Sequence, residues 1–289
     1  MTARLLEGAP VAEAVFADVR VRVEKLAADG VTVGLGTILA TDDESSAGYV
    51  RIKHQRCEEL GIASFHQDVP ASATQDDLLA AVQGFNDDPS VHAFLVQNPV
   101  YDHFDFNEAM GVMDPAKDVD GLHPVNLGRL VLQAPGPRPC TPAGIQAMLA
   151  HYGIDVAGRE VCILGRGPTL GRPLALLLSL KEAGANAAVT VVHTGVPDIA
   201  SYTRRADIVV AAVGVPGFLT PDMVKPGAVV VGGGVTYEGR RVISDVDEGC
   251  AEVAGWITPR IGGVGPTTIA MLMRNVVEAA ERWASRGMV

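Results

Sequence analysis

The chain is poor in aromatic residues (5%), has only Cys57, Cys140, Cys162 and Cys250 as thiols, and lacks any long uninterrupted apolar run. Each shortage excludes something. The cysteines show neither C-x-x-C nor Cys/His spacing, so no disulfide framework and no metal site is implied, and buried free thiols in a reducing cytoplasm are expected. No stretch approaches the roughly 20 apolar residues of a membrane helix, so no membrane partner is expected. The first 26 residues carry acidic side chains and helical periodicity, not the apolar centre of a signal peptide. Basic residues are outnumbered: 23 Lys and Arg against 34 Asp and Glu leave a net charge of −11. That balance argues against nucleic acid as a partner and obliges any anionic ligand to find a local basic patch.

What is present suits a two-domain α/β enzyme: 289 residues, 48% hydrophobic, 20% charged, without internal repeats. Positions 9–28 put Val11, Ala14, Val15, Val19, Val21 and Leu26 near one helical face. A β-type run over 31–40 follows. Ser45 or Ser46 then caps a helix reaching Leu60. Strands are expected at 62–69 and 92–97, with a capping box at 74–77 opening a helix between them. Strands alternating with helices predict parallel sheets whose active groups sit at the strands' carboxyl ends.

The sequence is organised around Val161-Cys-Ile-Leu-Gly-Arg-Gly-Pro-Thr-Leu-Gly-Arg-Pro173. An apolar strand (160–164) meets a turn holding Gly165, Gly167 and Gly171, then a leucine-rich helical run (174–183), then a second strand (187–192). Glycines let the backbone approach a pyrophosphate, and the following helix N-terminus offers it N–H groups. The spacing is one residue longer than the usual dinucleotide fingerprint, so strand and helix context carry the reading. An NAD site typically places an acid at the end of the second strand; here Val192-His-Thr194 has none. Arg166, with Thr194 donating a hydrogen bond, suits a 2′-phosphate, so the expected cofactor is NADP.

Other constellations are ambiguous singly. Tyr49 and Lys53 stand one helical turn apart, and a lysine with a lowered pKa beside apolar walls can move protons. The same Y-x-x-x-K spacing in short-chain dehydrogenases follows the glycine loop, whereas here it precedes it. Gln97 ends an apolar strand in Val96-Gln-Asn-Pro99. The aspartates of Asp114-Pro-Ala-Lys-Asp-Val-Asp-Gly121 lack the ligand pattern of a calcium loop. Pro139-Cys-Thr-Pro142 reads as an extended segment before a helix at 144–151, and Gly262-Gly-Val-Gly-Pro-Thr-Thr268 as a turn before the last helix.

Taken in order, these motifs resemble the bacterial FolD family, the bifunctional methylenetetrahydrofolate dehydrogenase and methenyltetrahydrofolate cyclohydrolase, over essentially the whole chain. The resemblance implies a catalytic role for Lys53, tuned by Gln97. It implies Tyr49 stacked on the aminobenzoate ring, Asp120 on the pterin, and Gly263 to Pro266 as a wall between folate and nicotinamide. It further implies a cofactor site including Gly165, Arg166, Gly167, Gly171, Thr194, Gly214 and Val235, and a cytoplasmic homodimer. The fold expected is two α/β domains with a cleft between them: 1–143 joined by the C-terminal helix 268–289 for folate, and a Rossmann-like 144–267 for NADP. The chain departs from the family's usual motifs at Ala40-Thr41, Asn98, Gly232-Gly-Gly234 and Arg260-Ile261. Two alternatives stay open: a monofunctional dehydrogenase or divergent paralogue, through a disturbed Lys53–Gln97 pair or an altered folate, and a nucleotide-binding paralogue without turnover.

Overall fold

The computed structural model describes residues 3–238, 241–285 and 287. In chain order it forms β1 (Arg4–Leu5), α1 (Gly8–Ala28), β2 (Gly34–Leu39), α2 (Glu44–Leu60), β3 (Ala63–Asp68), α3 (Gln75–Asp87), β4 (Ala93–Gln97), α4 (Phe106–Val112) and α5 (Pro124–Val131). It continues through α6 (Cys140–His151), β5 (Glu160–Leu164), α7 (Gly171–Ser179), β6 (Ala188–Val192), α8 (Ala200–Thr203) and β7 (Ile208–Ala211). Last come β8 (Val229–Gly232), β9 (Val235–Glu238), β10 (Arg241–Ser244), β11 (Trp256–Ile257) and α9 (Val264–Ser285). Two compact units result. The first holds Ala14–Arg138 and the chain from Leu272; the second holds the chain up to Glu13 and Pro139–Met271.

The first unit is built on a parallel sheet of order β3-β2-β4. Its central strand β2 is buried from Gly34 to Ile38, as an unbroken run covered on both faces must be. Gly36 is obligatory: a Cβ there would lie 2.9 Å from the Phe85 ring and from Phe94 Cβ. Ile38, Leu78, Phe94 and Met113 are fully enclosed below the sheet's carboxyl end, each contributing about 1.5–3 kcal/mol by burial. In α1 the buried hydrophobic residues are Val11, Ala12, Phe16, Val19, Val23 and Leu26, while Val15 is half-buried and Ala14 and Val21 face solvent. Val11, Val19 and Leu26 of the expected face are thus buried, and Phe16 and Val23 take the places expected of Ala14 and Val21. α2 is capped by the Asp43 carboxylate, which accepts from Ser46 N–H at 2.7 Å, and not by Ser45 or Ser46. α3 starts with the expected reciprocal capping box of Thr74 and Asp77. The later turns of α9 belong to this unit through Arg22–Glu281 (2.6 Å), Cys57 Sγ to Met273 Sδ (3.9 Å) and Asn275, which donates to Val119 and Arg138 carbonyls.

The second unit is a six-stranded parallel sheet of order β1-β11-β8-β7-β5-β6, beside a β9-β10 hairpin. Alternate residues of its strands feed two cores. Val161, Ile163, Ile208, Val210 and Val231 pack with Leu149 of α6 and Leu174 of α7. Cys162, Leu164, Val209 and Val230 pack on the opposite side with Leu219 and Cys250. The chain leaves β5 for β6 on one side and returns to β7 on the other, so the order reverses between β5 and β7. This is the switch point where open α/β sheets bind ligands. β1, which the sequence reading kept with the first domain, pairs with β11 through Arg4↔Trp256 and Leu5↔Ile257; two residues are too few to show a periodicity. α6 begins at Cys140, so the prolines of 139–142 open the helix instead of preceding it, as suits a residue whose N–H the first turn does not need. α7 spans Gly171–Ser179, shorter at its end than the leucine run suggested. All four cysteines are free and buried.

Candidate active site

In the first unit the polar groups converge at the carboxyl end of β4. Lys53 sits on the buried side of α2, 7% exposed, and its Nζ donates to Gln97 Oε1 at 2.9 Å. Gln97 is the last residue of β4, and its own amide donates to the Asn98 carbonyl at 2.9 Å. That second bond fixes which end of the amide faces the lysine. Asn98 departs from the family's motif without disturbing the pair, because only its backbone takes part. Tyr49 lies half-buried one turn before Lys53 on the same helix.

Asp120 reaches this place through backbone register. The segment after α4 runs alongside β4: Phe94 N–H donates to Lys117 O (2.8 Å), Val119 N–H to Phe94 O (3.3 Å), and Phe94 pairs with Asp118. Two residues further, Asp120 is level with the end of β4. Its carboxyl is pushed above the ordinary range, first by burial and also by Asp118, while the nearby Lys53 ammonium pulls it down. A half-buried carboxylate with one adjacent cation is a strong acceptor waiting for N–H donors.

Sequence reasoning did not anticipate how this loop is held. Asp118, 2% exposed, accepts from Gly121 N–H (3.0 Å), His123 N–H (2.8 Å) and Asn126 Nδ2 (2.9 Å). Asn126 also donates to Pro115 O and accepts from Arg129. The two aspartates of Lys-Asp-Val-Asp-Gly thus divide the work: Asp118 is spent on the turn, which leaves Asp120 available. Nothing in their spacing hinted at that division, since residues two apart in an extended segment share a face.

In the second unit the glycine turn lies at the switch point. Gly165 has φ +109°, and a Cβ there would fall 2.1 Å from Ala212 O. A Cβ on Gly171 would fall 2.3 Å from Gly165 O. These two glycines are required by the chain's own packing. Gly167 is different: a Cβ there meets nothing within 4 Å. Its openness leaves room for something outside the chain. Arg166 projects from the turn, and its Nη1 lies 3.3 Å from His193 Nε2. Thr194 is the exposed second residue beyond β6. Gly214, in the loop after β7, has φ +68° and donates its N–H to Asp245 Oδ2 at 2.9 Å, as Val213 does at 2.7 Å. Val235 opens the hairpin opposite Ser244. Gly263 and Pro266 stand at the entry to α9, Gly263 being hemmed in by Pro259 O (2.9 Å from a Cβ) and Thr258.

The structure therefore brings Lys53, Gln97 and Asp120 together in one unit, and gathers the glycine turn, Arg166 and Gly214 at the strand ends of the other. It adds Asp118, Asn126 and Asp245 as the groups that hold the functional loops.

Against known families, residues 6–120 match the model of the tetrahydrofolate dehydrogenase/cyclohydrolase catalytic domain, and residues 139–284 that of its NAD(P)-binding domain. A bifunctional protein FolD of Syntrophotalea carbinolica is 63% identical over 286 residues, covering 99% of both chains. Among solved structures, the bifunctional FolD enzyme of Campylobacter jejuni aligns with a TM-score of 0.92 at 38% identity, over 97% of this chain and 99% of its own. The Trypanosoma brucei methylenetetrahydrofolate dehydrogenase-cyclohydrolase, solved with NADP cofactor and inhibitor, aligns at 0.91 and 34% identity over 98% and 99%. The chain belongs to the tetrahydrofolate dehydrogenase/cyclohydrolase family.

Proposed function

We propose that this chain oxidises 5,10-methylenetetrahydrofolate with NADP and hydrolyses the resulting methenyl compound to 10-formyltetrahydrofolate, acting as a cytoplasmic homodimer. The observation that carries the reading is the buried Lys53 ammonium held 2.9 Å from Gln97 Oε1, with Asp120 close enough to feel its charge. A non-catalytic binder has no need of such a lysine.

Asp120 receives the pterin's paired N–H donors, which favour its ionised form and offset the burial that now opposes it. Tyr49 offers its ring face to the aminobenzoate. In the second unit, Gly263 and Pro266 are the residues we assign to substrate contact. The residues fit NADP: Gly165 and Gly171 shape the turn, Gly167 leaves room for a pyrophosphate, and Arg166 with Thr194 addresses a 2′-phosphate. The Val213–Gly214 loop and the backbone of Val235 are left for the nicotinamide end. When bound, the cofactor supplies a hydride acceptor, so oxidation needs orientation from the protein and no protein base.

Hydrolysis does need proton transfer. Water adds to the methenyl carbon and loses a proton; the hydroxyl so formed loses its own as the bond from that carbon to N5 breaks, and N5 gains one. Lys53 Nζ, held by Gln97, is the group placed to relay these protons, and the overall step releases one. Turnover of 5,10-methylenetetrahydrofolate with NADP, followed by absorbance, tests the reading. NADPH and 10-formyl product should appear together with little methenyl build-up. Methenyl accumulation would leave a dehydrogenase alone, and no reduction of NADP or NAD would overturn the assignment.

A further inference from the structure

We propose that His54 is a positioning residue for Lys53, pinning α2 to the sheet through Thr37. That role rests on the reading of Lys53 as the hydrolytic residue, and it accounts for what keeps the lysine's helix in place beside Gln97.

Thr37 lies in the middle of β2 and is fully buried. Its Oγ1 stands 2.9 Å from His54 Nε2 on α2 and 2.9 Å from His66 Nδ1 on β3. The chain continues at both ends: His54 Nδ1 lies 3.1 Å from Ser64 Oγ, and His66 Nε2 lies 3.1 Å from Asp68 Oδ1. A carboxylate only accepts, so a neutral His66 carries its proton on Nε2. With both rings neutral, the other directions follow. Thr37 O–H donates to the bare Nδ1 of His66, His54 Nε2–H donates to Thr37, and Ser64 O–H donates to His54 Nδ1. The Phe65 carbonyl, at 3.3 Å, is a second and longer acceptor for the Thr37 proton. The neutral form suits His54, which is held below the ordinary histidine range by burial first and then by His66 and Lys53.

Sheet register shows what this chain of bonds fixes. Thr37 pairs with Leu95 and His66, and Leu39, two residues on, pairs with Gln97 and Asp68. Residues two apart on a strand share a face, so Thr37 and Gln97 line the same side of the sheet, the side α2 covers. Lys53 and His54 are consecutive, and their side chains leave the helix about 100° apart. Lys53 reaches β4 through Gln97, while His54 reaches β2 and β3 through Thr37 and Ser64. One such bond would let α2 roll about it. Two, diverging from one turn to different strands, set its rotation and so the distance from Lys53 Nζ to Gln97. A leucine at position 54 would leave Thr37 Oγ1 without its donor on α2, and Thr37 is too enclosed for bulk water to replace it.

Hydrolysis of the methenyl compound and NADPH formation, measured side by side, separate positioning from general damage. Hydride transfer needs no protein base, so a displaced Lys53 lowers the ratio of hydrolysis to NADPH formation. In His54→Leu that ratio should fall about tenfold, in kcat and not in KM, which is less than the ~10²-fold that a misplacement of about 1 Å can cost. His54→Gln, which keeps an N–H donor at a reach similar to Nε2, should recover most of the loss. Thr37→Val should match His54→Leu, and the double variant should be no worse than either single one, since all three remove the same bond. An unchanged ratio in His54→Leu, with the ratio lost in Lys53→Met, would overturn the inference and leave Lys53 in its role. Equal loss of both activities in His54→Leu, or losses that multiply in the double variant, would mark a merely structural histidine and overturn it as well. A ratio unchanged even in Lys53→Met would overturn this inference and the hydrolytic reading together.

Discussion

Replacing Gly234 by alanine should damage the nucleotide unit far more than one methyl group suggests. Asp245 is fully buried, and its Oδ2 takes both the Val213 and Gly214 N–H groups at 2.7 and 2.9 Å. A Cβ on Gly234 would fall 2.0 Å from that oxygen and 2.6 Å from the carboxyl carbon. The aspartate side chain is short and enclosed, so it cannot yield without releasing the loop. Hydrogen bonds to a charged group are worth about 1.5–3 kcal/mol each, so losing both costs roughly 3–6 kcal/mol. At about 2–4 °C per kcal/mol for a unit of this size, the unfolding midpoint should fall by roughly 6–24 °C. Gly214→Ala is the internal control. Its Cβ meets nothing within 4 Å, but φ is +68°, so the cost is the left-handed backbone alone, about 1–2 kcal/mol. Thermal unfolding ranks the two variants, and amide hydrogen exchange reports the Val213 and Gly214 N–H groups directly. A Gly234→Ala midpoint within 2 °C or so of wild type, or above that of Gly214→Ala, would refute the reasoning.

Three further outcomes are expected. Gly232→Asp, which restores the family's usual acid, puts a Cβ 2.7 Å from Ser244 Oγ and should destabilise by about 1–3 kcal/mol; adding Ser244→Gly should recover most of that in a double-mutant cycle, and simple additivity would contradict the clash. His92 is buried edge-on against Trp283, accepts from Gly34 N–H through Nδ1, and is held below the ordinary histidine value by burial first and by Lys117 second. The unfolded chain therefore binds this proton more readily, so its contribution is complete above about pH 6.5 and is lost as pH falls through that value; unfolding midpoints between pH 8 and 5 should show the loss, reduced in His92→Gln. Asp120→Asn presents an N–H where the pterin offers N–H groups, so kcat/KM for the folate should fall at least about tenfold in steady-state assays, and an unchanged value would remove Asp120 from the pterin site.

What was legible in the sequence was local. The glycine turn announced itself by the strand before it and the helix after it, and the ordered polar motifs singled out Lys53, Gln97 and Asp120. The α1 face was read correctly at Val11, Val19 and Leu26 but not throughout, because alanines and valines crowd the whole helix and burial selected Phe16 and Val23 where the periodicity alone allowed Ala14 and Val21. The α2 cap went to Asp43 because, among adjacent polar residues, only the carboxylate's position relative to Ser46 N–H decides. Long-range partners were out of reach. Nothing near Gly234 in sequence tells of a buried carboxylate against it, and nothing near Asp118 tells that its oxygens are consumed by the turn it helps to close. β1 likewise finds its place only by pairing with β11, at the far end of the chain.

The central claim is that one lysine separates hydrolysis from oxidation, and Lys53→Met tests it most directly, since the substitution keeps an apolar stem and removes Nζ. NADPH formation from 5,10-methylenetetrahydrofolate and hydrolysis of the methenyl compound should be followed in the same protein. The account predicts that NADPH still forms while the methenyl compound accumulates, its hydrolysis slowed by about 10²-fold or more. Hydrolysis at the wild-type rate in Lys53→Met would contradict it.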